Sequence, residues 1–330
     1  MATAGDRGRT TATSASIAAV VVSFNRRDRL EQELKALLAQ THRIDEIIVV
    51  DNGSTDGARE FLRDLGAPFV VVESHRNRGG AGGFALGLAW AMHRGHDLAW
   101  LMDDDASPYE DCLDRLVRPF EGDFARYSFT SAQVVDPEGR TGPRSHPVVS
   151  FSYEELFRCA EQGHVAAAAG SFVGPLISLH HARNTHLPLA DFFIWHDDTE
   201  YTSRLAAMAP AIFVPPAKIV HLPDSAGPKV FDRSRATGNF RNLIWWYRER
   251  TTSAIPRRVI VRWLVSHVVS NAQSAGLRGF VPMLAKLSGG IFQGVFRRPA
   301  HQFAEEAVAA SQTDDVIVES GVESRRAEAE

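Results

Sequence analysis

Cysteine is nearly absent: the 330 residues contain two, Cys112 and Cys159. Two thiols cannot form a disulfide framework, and their spacing is not a zinc-ligand pattern. The pair reads instead as reduced thiols in a cytosolic chain. Long apolar runs are missing too. Residues 1–15 are rich in Ala and Thr with two arginines, and they lack the roughly 7–15-residue apolar stretch of a secretory signal. No run reaches the roughly 18 apolar residues of a membrane span. A charge excess is also lacking. Lys plus Arg number 36 and Asp plus Glu 40, for a net charge of -4, which speaks against a globally basic nucleic-acid binder. There is no internal repeat. What remains is ordinary globular composition, 44% hydrophobic and 23% charged, in a length that suggests two domains at about 150 residues each, or one domain with additions.

The first half of the sequence alternates between two periods. Val-rich apolar runs at 17–25, 45–54, 68–74 and 97–105 have the character of strands covered on both faces. Between them, 27–41, 55–66 and the Gly/Ala-rich stretch from Gly80 to Gly95 have helical spacing. Strands alternating with helices predict an α/β fold with a mainly parallel sheet. Polar residues gather where these strands end: Asn25, Asp51, Arg76 and Asp103 to Asp105. Open parallel sheets bind ligands at that edge. Further on, 128–142 suggests a hairpin, 166–180 a strand, 197–208 a helix and 211–222 a strand. Residues 233–300 then hold twelve Lys or Arg against one acid, Glu249, together with many aromatics. Residues 301–330 reverse the sign, with eight acids and two arginines, and read as a solvated tail. The expected organisation is a tail over 1–15, a main α/β domain over 16–232 whose first 110 residues look like a nucleotide-binding half-domain, a basic aromatic helical region over 233–300 and an acidic tail over 301–330.

Five motifs carry candidate chemistry. Asp103-Asp104-Asp105 closes an apolar strand. Three adjacent acids repel one another and persist where something positive sits between them. Strand alternation puts Asp103 and Asp105 on one face, where they can hold a hard divalent ion that also grips a diphosphate; a solvated acidic turn is the alternative. Asp51-Asn52-Gly53-Ser54 is turn and cap chemistry, although Asp51 is also placed to meet a base or ribose. The run from Arg76 to Phe84 has four glycines. They suit either close backbone approach to an anion or close helix–sheet packing through Gly82 and Gly83. This run is neither a dinucleotide fingerprint nor a Walker loop. In Trp195-His196-Asp197-Asp198-Thr199-Glu200, the acids can cap a helix or serve as a general base facing a sugar hydroxyl. His221 ends a strand; it is either structural or, beside a cation, a ligand.

In this order, VVVSFNR, VVDNGSTDG, NRGGAGGF, the DDD strand, the DD-x-E helix and the late His resemble the family-2 inverting glycosyltransferases of the GT-A fold. The resemblance spans about 17–250. Its nearest likeness is to the bacterial galactofuranosyltransferase and rhamnosyltransferase branch, where GGAGGF, WLxDDD and an aromatic "RN" segment (here Phe240-Arg241-Asn242) recur together. The resemblance implies a nucleoside-diphosphate sugar donor bound by Asn25, Asp51, Arg76, Asn77, Gly79, Gly80, Asp103 and Asp104, with Arg241 reaching a phosphate. It implies a divalent cation, Mg2+ or Mn2+, held by Asp103, Asp105 and His221. Asp198 becomes the base, with Asp197 orienting a hydroxyl. Trp195 and His196 fall on the acceptor side, and His196 departs from the Trp or Gly that relatives often carry there. The implied donor is UDP-galactofuranose first and dTDP-rhamnose second, and the implied acceptor is a glycan, often polyprenyl-linked. The basic segment then suits contact with an anionic membrane, with the protein in the cytoplasm or on the inner face of the plasma membrane. A sugar nucleotidyltransferase would need a Gly-rich loop after the first strand, where Ser23-Phe24-Asn25-Arg26-Arg27 has no glycine. A non-catalytic nucleotide-sugar-binding protein would not need the acid pair.

Overall fold

A computed structural model describes residues 15–141, 147–222, 236–249, 252–313 and 316–320. In chain order the first elements are β1 (Ile17–Ser23), α1 (Arg27–Leu38), β2 (Glu46–Asp51), α2 (Ala58–Arg63), β3 (Phe69–Ser74), α3 (Gly79–His93), β4 (Leu98–Asp103), β5 (Ala106–Pro108) and α4 (Cys112–Val117). They continue with β6 (Phe129–Val135), β7 (Val148–Val149), α5 (Tyr153–Ala160), β8 (Val165–Ala169), β9 (Pro175–Ser178), α6 (Leu179–Ala182), α7 (Asp197–Met208) and β10 (Ala211–His221). The C-terminal part adds α8 (Ala236–Arg248), α9 (Arg257–Phe296), α10 (Ala304–Thr313) and β11 (Val316–Ser320).

One mixed sheet runs β11-β3-β2-β1-β4-β9-β6-β10-β8-β7, with β5 on β10. Strands β3, β2, β1 and β4 are parallel neighbours. They are buried on both faces because α1 and α2 pack on one side and α3 on the other. That is why they read as unbroken Val/Ile runs: Ile17 through Val21 are fully buried. α3 sits unusually close to the sheet. A Cβ added at Gly83 would lie 2.5 Å from Val22 Cγ1, and one at Gly87 would lie 2.3 Å from Val20 Cγ1. Of the two roles open to the glycine run, packing therefore claims Gly83.

Three expectations are corrected. The segment 128–142 is not a hairpin. Only β6 forms, and it pairs in parallel with β10; the turn after it is closed by Asp136, whose carboxylate accepts from Glu138 N and Arg140 N, and 142–146 lie outside the described residues. The run 166–180 is two strands, not one. β8 pairs with β10 and β9 inserts between β4 and β6, with the chain turning at Gly174 in the left-handed region (φ 81). The acidic segment is not a free tail over its described part. α10 buries Ala307 and Val308 in the cluster that holds Leu86 and Trp90 of α3, and β11 pairs antiparallel with β3 from Val316 opposite Ser74 to Ser320 opposite Val70. The net-acidic segment contains a Val-Ile-Val run that completes a sheet edge. The N-terminal tail expected over 1–15 lies outside the described residues except for Ala15, which packs on the core; residues 321–330 lie outside them as well. The helical region is continuous with the sheet layer: Leu243, Trp245, Trp246, Ile255 and Ile260 share a cluster with Ala81, Ala168 and Phe192. No helix among the described residues is long and apolar enough to cross a membrane.

Glu33 of α1 faces inward, 1% exposed, and neither carboxylate oxygen has a hydrogen-bond partner among the described residues. Burial, and then the fields of Asp104, Asp105 and Asp103, push its carboxyl well above the usual range. A folded-state value raised above the unfolded one gives stability that is full at low pH and is lost as pH rises towards the folded value. Glu33→Gln removes that loss. In thermal melts from pH 5 to 8, the variant's stability relative to wild type is expected to climb with pH, by at most about 1.4 kcal/mol per unit. A pH-independent difference would contradict the assignment.

Candidate active site

The rim at the carboxyl ends of β1, β2 and β4 brings most of the sequence candidates into one place, and strand register explains why. β4 ends at Asp103, and the chain turns directly into β5, which pairs antiparallel with β10 so that His221 lies opposite Ala106. Leu222 N donates to the Asp105 carbonyl at 2.8 Å. The His221 imidazole is thereby carried to the acid triple, with Nε2 3.2 Å from Asp105 Oδ1.

The three aspartates have three different environments. Asp104 is buried: its Oδ2 accepts from Ser23 Oγ (2.8 Å) and Phe24 N (3.2 Å), and its Oδ1 from Arg26 Nη1 (3.1 Å). It ties the β1–α1 loop to the end of β4, a structural role beneath the donor role expected of it. Burial raises its carboxyl despite Arg26 and Ser23. Asp105 shares the same guanidinium, with Arg26 Nη1 2.5 Å from its Oδ2 and Arg29 Nη1 at 3.6 Å. Burial acts to raise it, but His221 and Arg26 prevail and hold it below the ordinary value. The His221 imidazole is raised in turn by its contact with Asp105. Asp103 is the partly exposed member. Burial first, then Asp105 and Asp104, push its carboxyl well above the usual range, and Asp197 adds to the effect. Arg26 is the cation that the crowded acids require. It belongs to none of the five motifs, and its place just beyond β1 is the signal that could have found it.

For a divalent ion, the donor set at this rim is carboxylate oxygen with imidazole nitrogen, which suits Mn2+ or Mg2+. Asp105 Oδ1 is buried with His221 Nε2 3.2 Å away, and the charge of Asp103 is opposed by that of His221. The residues fit such an ion. Asp105 and His221 are already in contact, whereas a ready three-ligand group is not formed among the described residues.

The acid pair starts α7 on the other side of the same rim. Asp197 is 7% exposed and its charge is felt at Asp103. Asp198 Oδ1 accepts from Thr199 N (2.6 Å) and Thr199 Oγ1 (2.9 Å). Burial raises both carboxyls, and for Asp197 the adjacent Asp198 adds to it. Glu200 forms a buried ion pair with Arg204 at 2.8 Å.

Several donor candidates are held by the chain itself. Asp51 is fully buried, with Oδ2 on Arg59 Nε (2.8 Å) and Oδ1 accepting from Ser54 N (3.0 Å). Asn25 Oδ1 accepts from Thr55 N at 2.7 Å, joining the first two loops. Arg76 and Asn77 are exposed, and Asn77 Oδ1 accepts from Gly79 N at 2.7 Å. Gly80 has open space where a Cβ would be. Arg241 is not aimed at a phosphate. Its Nη2 donates to the carbonyls of Asp191 (2.7 Å) and Phe192 (3.3 Å), and its guanidinium lies 4.5 Å from the Trp245 ring. A planar fork surrounded by main-chain carbonyls bonds to them first. His196 is likewise not an open acceptor contact. Its ring stacks on Trp263, lies edge-on to His267, and places Nε2 3.1 Å from Asn239 Oδ1; burial, aided by His267, lowers it to about 4. Trp195 beside it is 41% exposed.

Residues 18–175 match the model "Glycosyl transferase family 2". Over that segment, just under half of the chain, the sequence is similar to glycosyltransferase family 2. Over 92 residues the chain is 44% identical to the galactofuranosyltransferase GlfT1 of Mycolicibacterium smegmatis, covering 28% of this chain and 30% of that protein. The chain thus spans under a third of the curated relative's length in the match. The fold is that of GT-A glycosyltransferases. The Pyrobaculum calidifontis mannosyltransferase PcManGT, solved with GDP-Man and Mn2+, superposes with a TM-score of 0.53 at 18% identity, over 86% of this chain and 87% of that one. Residues 1–349 of TarS from S. aureus with UDP-GlcNAc give 0.59 at 12% identity, over 85% and 80%.

Gly79 opens α3 at φ 71, and an added Cβ would lie 2.0 Å from the Phe193 carbonyl oxygen. Gly79→Ala is therefore expected to cost at least about 2 kcal/mol in chemical denaturation. An unchanged midpoint would contradict the close approach.

Proposed function

We propose that the protein is an inverting glycosyltransferase that moves a sugar, galactofuranose in the first instance, from a uridine diphosphate donor to a cell-envelope or polysaccharide glycan. The observation that carries this reading is the meeting of strand-end acids, His221 and the α7 acid pair on one rim of the sheet. The likeness of 92 residues to a galactofuranosyltransferase supports the choice of sugar.

In this reading Asp198 is the base. A carboxylate raised by burial takes a proton from an acceptor hydroxyl more readily than an ordinary one. The position of Asp198 at the start of α7 favours its charged form, and Thr199 fixes its orientation through Oδ1. Asp197 orients the hydroxyl. The acceptor oxygen forms its bond to the anomeric carbon on the face opposite the nucleotide. The bond from that carbon to the phosphate oxygen breaks as the proton passes to Asp198, and the nucleoside diphosphate leaves with the bonding pair. A divalent ion held by Asp103, Asp105 and His221 would supply charge neutralisation for the leaving diphosphate. Exposed Trp195 offers a face for an acceptor sugar ring. Asp198→Asn is expected to lower kcat by at least about 10²-fold in a radiolabelled transfer assay with UDP-galactofuranose, with an inverted product in wild type. Full turnover by the variant would remove Asp198 from the role of base.

The acceptor side of this proposal is lipid-linked, with the protein lying peripherally on the inner face of the plasma membrane. Val261, Val265, Val268 and Val269 of α9 are exposed, at a spacing that puts them on one helical face. Arg257, Arg258 and Arg262 are exposed along the same stretch. Residues 236–300 hold ten Lys or Arg and one acid, Glu249. Apolar side chains bordered by arginines suit an anionic bilayer surface. Co-sedimentation with vesicles is expected when they contain phosphatidylglycerol and not with phosphatidylcholine alone, and Val265→Asp with Val269→Asp is expected to abolish it. Equal binding to both vesicle types would contradict the charge argument.

A further inference from the structure

The segment Phe240-Arg241-Asn242 stands out in the sequence, and the reaction described above does not use it. In the structure it grips the strand of chain that leads into the acid pair. Asn242 is fully buried. Its Nδ2 donates to the carbonyl oxygens of Phe192 (3.0 Å), Ile194 (3.1 Å) and Trp195 (3.0 Å). An amide NH2 has two hydrogens, so three carbonyls share them. Arg241 Nε and Nη2 donate to Asn242 Oδ1 at 3.0 and 2.9 Å, which fixes which end of the amide faces the carbonyls. The same Nη2 reaches the Asp191 carbonyl at 2.7 Å. One turn earlier, Asn239 Oδ1 meets His196 Nε2 at 3.1 Å.

The gripped segment is strained. Phe193 (φ 63), Trp195 (φ 78) and His196 (φ 67) all occupy the left-handed side. Non-glycine residues hold such conformations only where their surroundings over-determine them. The segment runs without a break into Asp197. At its other side the Phe193 carbonyl accepts from Ala81 N, in the first turn of α3, at 3.2 Å. It therefore spans the gap between the glycine run on the donor side and the acid pair, and α8 is the element beneath it.

We propose that Asn242 is a positioning residue: its side-chain amide, oriented by Arg241, holds residues 192–195 in their strained path and so places Asp197 and Asp198 against the acid triple. This rests on the glycosyl-transfer reading for its catalytic consequence, but not for the clamp itself. The clamp gives the basic C-terminal helices a function in the site. Whatever shifts α8 also shifts the base.

The test compares Asn242→Ala and the milder Asn239→Ala with wild type in the full chain. Hydrogen exchange read by mass spectrometry is expected to show the amides of 191–199 opening about tenfold faster in Asn242→Ala, with β1, β2 and β4 unchanged. Affinity for UDP with Mn2+ is expected to stay at the wild-type value, while kcat for sugar transfer falls on the order of 10²-fold, the scale of an ångström-sized misplacement. Asn239→Ala is expected to lie between the two. Unchanged exchange in 191–199, or UDP affinity falling in step with kcat, would overturn the proposal. A wild type that binds UDP, shows the exchange difference against Asn242→Ala and transfers no sugar would count against the glycosyl-transfer reading and leave the clamp standing.

Discussion

Crowding of negative charge at one strand end is the constraint on which the rest of the site depends. Asp103, Asp104 and Asp105 follow five buried residues of β4, and no fold gains by placing three carboxylates there unless cations answer them. The protein answers two. Arg26 bridges Asp104 and Asp105, and His221 stands against Asp105. Asp103 is left with its charge suppressed by its neighbours. Such a carboxyl favours the arrival of a further positive charge, because a cation relieves repulsion that the chain alone leaves in place.

The same rim shows how a mixed sheet gathers chemistry from distant sequence. Parallel strands deliver Ser23, Asp51 and Asp103 to one edge, and the antiparallel pairing of β5 with β10 returns His221 to that edge more than a hundred residues later. α7 approaches from the opposite side with its acids in the first turn, where the helix dipole favours negative charge. The charge of Asp197 nevertheless raises the proton affinity of Asp103. Binding a cation at the triple would therefore also favour the ionised form of Asp197.

Much of this was legible in the sequence. The two-sided burial of β1, β2 and β4 shows as continuous apolar runs, and α7 occupies the predicted 197–208 span. The acid triple and His221 were expected at one rim and are found there. The rest was hidden for physical reasons. Asp51 ends its strand as a ligand-facing acid would, but Arg59 of α2 donates to its carboxylate at 2.8 Å. Arg241 and His196 carry groups that could serve a phosphate or an acceptor. Carbonyls and aromatic rings from segments far along the chain occupy them instead, and no local pattern encodes that. The acidic segment reads as solvated from its charge, yet Ala307 and Val308 of α10 pack against α3.

The central claim is that the rim formed by Asp103, Asp105 and His221 holds a divalent cation together with a nucleoside diphosphate. Calorimetric titration of the wild type with UDP, with and without Mn2+, tests it most directly. The account requires binding that depends on the metal and is weakened in both Asp105→Asn and His221→Ala. UDP affinity that is the same with Mn2+ and with EDTA would contradict it.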